Sequence, residues 1–299
     1  MDDIAMTRRR FAAGAAALSA AALSCGAADC AASPGGLGVR FLGTGAADWT
    51  GPDPKRGRRR WASVLLDGRV LVDFTEANAD MLPEGVRPEI VFYTHSHGDH
   101  YSPRAALALG VRRVYCHESW AEGARAEFAA VAAAKGLAAP EVVPMAFGQA
   151  ASECGLVLTS LPANHCTDRA GEHCSMYLVE KGATRLLYAV DTGGIPGEAA
   201  RIVGIDAHVS PGRPITAMIM EATVGRGGFY DFRMFSHSCV EDVYRAVRVL
   251  LKTKRYTPPE GRKVYITHMA RTLHGTQEEI ASSSPAPLAP AYDGLEVVF

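Results

Sequence analysis

Short apolar runs recur along this chain, most of them closed by glycine, proline, asparagine or aspartate, the pattern expected of β-strands. "VRFLG" at 39–43 ends in glycine and runs into a small-residue loop. "ASVLLD" and "RVLVDF" flank Asp67-Gly68, a pair suited to the left-handed backbone of a tight hairpin. "EIVFY" and "RRVYC" follow, the second half adds "LVLTSLP", "SMYLVE", "TRLLYAV", "TAMIME" and "KVYIT", and the tail ends in "GLEVVF". Between the strands, apolar residues spaced three and four apart predict helices. These cover Pro103–Leu109, an Ala-rich stretch Glu118–Lys135, "PGEAARIV" and the amphipathic "VEDVYRAVRVLLK". Strands followed by helix–strand alternation occur twice. That order predicts an α/β protein with two sheets face to face and helices on both outer faces, a four-layer αββα sandwich with functional loops along one edge.

Composition narrows the picture only a little. Apolar residues make up 48% of the 299 positions, enough for a sizeable core and too many for a disordered chain. The net charge of -1 supplies no basic field for nucleic acid, so a small-molecule substrate is the expected partner. Residues 52–60, "PDPKRGRRR", are strongly basic and read as a solvated loop.

The N-terminus is different material. Arg8, Arg9 and Arg10 precede an uncharged run of small residues, the layout of an export signal of the twin-arginine type. We expect residues 1–33 to be signal and linker, residues 34–299 to be one domain, and the mature protein to be periplasmic. The alternative is a cytoplasmic chain whose N-terminal extension is not a signal. No second long apolar run follows, so no membrane span is expected in the mature form. Cys116, Cys154, Cys166, Cys174 and Cys239 contain no C-x-x-C pair and read as buried free thiols.

The chemistry begins at "THSHGDHYSP", where His95, His97, Asp99 and His100 crowd the end of the "EIVFY" strand. Positions two apart in extended backbone point the same way, so His95 and His97 can face one ion. Gly98 would allow the turn that brings Asp99 and His100 toward a second point. Further donors stand at later strand ends: His165 after "LTSLPAN", Asp191 after "RLLYAV" and His268 after "KVYIT". Asp73 and Glu221 also end strands and are candidates to hold a ligand imidazole from behind. His117, His173 and His208 fall outside this pattern and read as structural or exposed.

H-x-H-x-D-H with a later His, Asp and His resembles the metallo-β-lactamase fold superfamily, over a match from about Val39 to the C-terminus. The resemblance implies that His95, His97 and His165 hold one divalent ion, that Asp99, His100 and His268 hold another, and that Asp191 bridges them. "FLGTGAA", "LPANH", "VDTGGIP" and "ITHMA" look like the phosphodiesterase branch, and most like the phosphoribosyl cyclic phosphate phosphodiesterases. In that family a histidine before the last long helix assists the reaction, and His237 matches it. Two departures stand out: the loop after the first strand has no cysteines for a structural zinc, and an export signal is unusual for an enzyme of an intracellular metabolite.

The expected cofactors are therefore two divalent ions, zinc by default and manganese as the alternative, since imidazole and carboxylate donors suit either. Asp99, His237 and His274 are the candidate catalytic side chains beyond the bridging aspartate, the two histidines as proton donors to a leaving alkoxide. Arg271 is a candidate grip for a phosphate oxygen. Residues 46–61 and 224–235 are the loops expected to set specificity. A lactone, ester or β-lactam hydrolase of the same fold, or a metal-containing binding protein without turnover, are the other readings.

Overall fold

The computed structural model describes residues 35–206 and 212–299. The export segment and His208 lie outside the described residues. The chain opens with β1 (Gly38–Gly43), β2 (Ser63–Leu66), β3 (Val70–Val72) and β4 (Ile90–Phe92). Helix α1 (Pro103–Leu109), β5 (Arg113–His117), α2 (Glu118–Lys135) and β6 (Glu141–Met145) complete the first half. The second half runs β7 (Ala150–Glu153), β8 (Leu156–Pro162), β9 (Ser175–Lys181), β10 (Thr184–Ala189), α3 (Gly197–Val203) and β11 (Ala217–Glu221). It closes with α4 (Val240–Lys252), β12 (Val264–Thr267), α5 (Gln277–Ser283), β13 (Leu288–Pro290) and β14 (Glu296–Val298).

Among the described residues the strands form two seven-stranded sheets, ordered β14-β1-β2-β3-β4-β5-β6 and β13-β12-β11-β10-β9-β8-β7. Each strand sends alternate residues to opposite faces, and both faces are covered, so the strands read as continuous apolar runs. Phe41, Val64, Val72 and Phe92 face Leu158, Tyr177, Val179 and Tyr188 between the sheets. Leu42, Leu65, Leu71 and Val91 point the other way, onto Ala106 of α1 and Ala121, Ala124 and Phe128 of α2. On the second sheet Met176, Leu187, Met218 and Ile266 pack on Val203 of α3 and on Val243, Val247 and Leu250 of α4. The layers are αββα, the architecture expected from the apolar pattern.

Several differences from the sequence reading have physical causes. Strands β6, β7, β13 and β14 are the outer strands of the sheets, where one neighbour is missing and apolar alternation is diluted. The basic loop is not simply solvated. Arg59 is buried, its guanidinium donating to Thr44 Oγ1 at 2.7 Å and to the Ala291 carbonyl at 3.0 Å. Arg60 pairs with Asp80 and Asp293, so these arginines tie β1 and the C-terminal segment together. No disulfide joins the cysteines among the described residues, and Cys166 is exposed and Cys154 half-buried rather than buried. The Asp67-Gly68 hairpin does adopt left-handed backbone, at φ 47 and φ 68. No helix of the described residues is long and apolar enough to cross a membrane.

Candidate metal centre

Strands β3, β4 and β5 run parallel in one sheet, and β10 to β13 run parallel in the other. Loops leaving their C-terminal ends meet along one edge. His95 to His100 follow β4, His165 follows β8, Asp191 follows β10, Glu221 ends β11 and His268 follows β12. Asp73, Asp191 and His268 take positive φ of 56, 52 and 53. This left-handed turn immediately after a strand is uncommon for residues with a side chain, and here it recurs at three positions of one cluster.

Two groups of donors converge. His95, His97, His165 and Asp191 offer ligand atoms that all lie within 4.8 Å of one another, and so do Asp99, His100, Asp191 and His268. His95 Nε2 is 3.0 Å from His97 Nδ1, which is 3.3 Å from His165 Nε2. Ligands about 2.0–2.1 Å from a tetrahedral ion would stand roughly 3.3 Å apart, so this spacing suits one. His100 Nε2 is 3.3 Å from His268 Nε2 and from Asp99 Oδ2, and 3.1 Å from Asp191 Oδ2. Gly98 does not supply the turn through a positive φ. Hydrogen bonds from His100 N and Tyr101 N to the His97 carbonyl close it instead.

What lies behind the imidazoles sets which nitrogen faces forward. His100 Nδ1 is 2.7 Å from the buried Asp73 Oδ2, leaving Nε2 for an ion. Asp73 also accepts from the Thr94 hydroxyl at 2.9 Å, and that hydroxyl oxygen stands 2.9 Å from His95 Nδ1. The second sheet repeats the device. Thr223 Oγ1 donates to Glu221 Oε2 and lies 2.7 Å from His268 Nδ1. Glu221 is itself pinned by the backbone N–H of Thr192 at 2.6 Å. Each carboxylate–threonine–histidine chain holds one imidazole with its Nε2 lone pair forward. Thr94 and Thr223 carry no metal-binding signal of their own; only their place beside a strand-end carboxylate marks them.

The electrostatics point the same way. Burial holds His95 neutral, lowering its pKa to about 3, and burial also lowers that of His165. Burial opposes charge on Asp191, but the imidazoles of His268, His100 and His165 outweigh it and hold the carboxyl well below the usual range. Burial likewise opposes charge on His100, yet Asp99, Asp73 and Asp191 push it well above the usual histidine value. Three carboxylates around one buried imidazole demand positive charge at this point. Asp191 Oδ2 lies 3.3 Å from His95 Nε2 and 3.1 Å from His100 Nε2, so one buried carboxylate oxygen faces both groups of donors. Neutral imidazoles with carboxylates fit divalent cations well.

His237, from the turn before α4, stands at the same cluster. Its Nδ1 is 3.3 Å from Asp191 Oδ1 and from Glu221 Oε2. With these residues and His268 it forms a third convergent group. The cleft over the cluster is small, ≈ 210 Å³, and is lined by His97, Asp99, His165, His237 and Arg233 among others. Ala46, Ala47 and Asp48 line it from one of the expected specificity loops, and Arg233 from the other.

Two candidates do not reach it. His274 is buried elsewhere, donating from Nε2 to the Ala222 carbonyl at 2.7 Å, and burial lowers its pKa to about 4. A neutral imidazole committed to the backbone is a packing element, not a proton donor. Arg271 is absent from the cleft lining; its backbone N–H donates to Asp48 Oδ1 at 2.8 Å, and Arg233 lines the cleft instead. His117 caps α2 by accepting from Ser119 N, and its ring packs 5.2 Å from that of His173.

Residues 33–269 match the family model of the beta-lactamase superfamily domain, and the chain belongs to that family. Zn(2+)-bound PqqB from Methylobacterium extorquens is 19% identical, with TM-score 0.64 over 88% of this chain and 100% of its own. YhfI from Bacillus subtilis, a metallo-beta-lactamase fold protein, is 13% identical with TM-score 0.62, over 88% of this chain and 99% of its own. The short form of human tRNase Z is 16% identical with TM-score 0.59, covering 87% of this chain and 98% of its own. Among curated proteins no match was found.

Proposed function

We propose that the protein is a binuclear metal-dependent phosphodiesterase acting on a small or cyclic phosphodiester. The observation that carries this reading is the place of His237, whose ring lines the cleft beside both candidate ion sites with two carboxylates behind its Nδ1. Burial opposes its protonation, but Glu221 and Asp191 outweigh burial and raise its pKa to about 10. A protonated imidazole so held can give its proton to a leaving alkoxide. His95, His97 and His165 would hold one ion and Asp99, His100 and His268 the other, with Asp191 shared. When bound, two such ions supply Lewis-acid polarisation of a phosphoryl oxygen and a water of lowered pKa. Zinc is the default, and manganese suits the same donors. The "LPANH" and "VDTGGIP" resemblance supports the branch, as does a structural neighbour that is a tRNase.

The test uses the chain from Ser33 onward, stripped and reloaded with zinc or manganese. It is offered bis(p-nitrophenyl) phosphate, a nucleoside cyclic phosphate, nitrocefin and a lactone. Phosphodiester turnover is expected, and His237→Ala should lower kcat by about 10²–10⁴ while metal content is retained. Turnover of lactam or lactone alone would replace this reading with the alternative hydrolase. A fully metallated protein silent on the whole panel would favour a binding protein.

We also propose, from Arg8, Arg9 and Arg10 and the uncharged small-residue run after them, that the mature protein is periplasmic and exported already folded. Arg8→Lys with Arg9→Lys should retain a tagged chain in the cytoplasm, and undiminished export of that variant would contradict it.

A further inference from the structure

The cleft, ≈ 210 Å³, is smaller than the ~300–1,000 Å³ of sites that enclose a drug-sized ligand, so side chains at its rim are placed to meet the organic part of a larger phosphodiester. The segment before His237 sends Arg233 to that cleft and carries Phe232 beside it. A short 3-10 turn, Phe232–Phe235, is capped by Asp231, which accepts from Arg233 N at 2.9 Å. Among the described residues Arg233 is the one lysine or arginine side chain lining the cleft. Its guanidinium donates to Asp231 Oδ2 at 3.2 Å, and its Cζ lies 5.4 Å from the centre of the Phe232 ring. Phe232 is 73% exposed and Phe235 86%.

Arg233 therefore brings guanidinium donors with no protein acceptor among the described residues to the candidate metal centre, with an exposed aromatic ring beside it. We propose that Arg233 and Phe232 form the substrate-recognition element of this site. Arg233 takes a non-bridging oxygen of the anionic ester, and Phe232 stacks on a flat ring carried by the same molecule. The substrate class is then a phosphodiester with a planar aromatic or heteroaromatic group next to the phosphate. This rests on the phosphodiesterase reading for its chemistry, but the anion grip can be tested apart from turnover. Charge complementarity favours this occupant over an uncharged apolar partner.

The experiment measures binding of inorganic phosphate to the metal-loaded protein by calorimetry, and kcat and KM for bis(p-nitrophenyl) phosphate. Arg233→Ala should weaken phosphate binding by about ten- to a hundredfold, the range of a hydrogen bond to a charged group, with Arg233→Lys in part restoring it. The same variant should raise KM more than it lowers kcat. Phe232→Ser should raise KM about tenfold, in the range of aromatic stacking, and leave phosphate affinity unchanged. Phosphate affinity unchanged in Arg233→Ala would overturn the grip. An unchanged KM in Phe232→Ser, or a fall in phosphate affinity equal to that of Arg233→Ala, would overturn the ring platform. So would an oligomer that dissociates in Phe232→Ser, because a second copy would then be the occupant. Phosphate binding lost in Arg233→Ala, from a wild-type protein that turns over no phosphodiester, would keep the anion grip and reject the phosphodiesterase reading.

Discussion

Thr223 Oγ1 stands 2.7 Å from His268 Nδ1 and donates its own proton to Glu221. That hydroxyl decides which nitrogen of His268 carries a proton, and so which one can face an ion. Thr223→Val keeps the shape but removes both hydrogen bonds, leaving His268 Nδ1 with only Asp191 Oδ1, at 3.0 Å, to orient it. Affinity of the second ion should fall by about 10–100-fold, while the first ion, held on the other chain of contacts, changes little. Stepwise metal titration against a competing chelator resolves the two. Equal weakening of both ions would show that Thr223 supports the whole edge rather than one imidazole.

His274 carries a different prediction, about pH. Burial, helped by the charge of Arg59, lowers its pKa to about 4 against the hydrogen bond to Ala222. The ordinary value of a free histidine is about 6.5. Between those values the unfolded chain binds a proton that the folded chain refuses, so stability rises with pH across this window. It is fully present above about 6.5 and lost as pH falls toward about 4, on the order of a few kcal/mol. Denaturant midpoints of wild type and His274→Gln should differ most in slope over that range. Parallel curves would mean that His274 titrates freely in the folded protein.

Thiol chemistry checks the core independently. Burial pushes the Cys116 thiol up to about 12 and raises that of Cys174 further. Burial and Asp242 together raise Cys239 to about 12. At pH 8 these three stay protonated and enclosed, and a thiolate is the reactive form. Cys166, exposed in the loop after His165, should label first and without unfolding. Rapid labelling of Cys116 in the native protein would contradict the packing between the first sheet and its helices.

Much of this was written plainly in the sequence. The central strands are covered on both faces, so "SVLL" and "MYLVE" could hardly be anything else, and the metal donors could be located because each ends such a strand. The outer strands were not legible: "AASE" of β7 has one neighbour and half-exposed residues, and its pairing with β8 comes from tertiary context. Helix α5 was overlooked although Thr276 and Glu279 form a capping box, a signal that local reading can find. Among site residues, Asp73 and Glu221 were visible as strand-end carboxylates. Thr94 and Thr223 were not, because a hydroxyl acquires its role only from what packs beside it. Arg271 and Arg233 show the same limit. Both sit in loops near the site, and only the folded backbone decides which guanidinium reaches the cleft.

The most direct test of the central claim is turnover measured against metal count. Metal-free protein is titrated with zinc or manganese, and bis(p-nitrophenyl) phosphate hydrolysis is followed as a function of ions bound per chain. A binuclear phosphodiesterase predicts activity that rises to a plateau at two ions per chain and is absent from Asp191→Ala at any metal concentration. A plateau at one ion, or full activity in Asp191→Ala, would contradict the shared aspartate and the two-ion centre built on it.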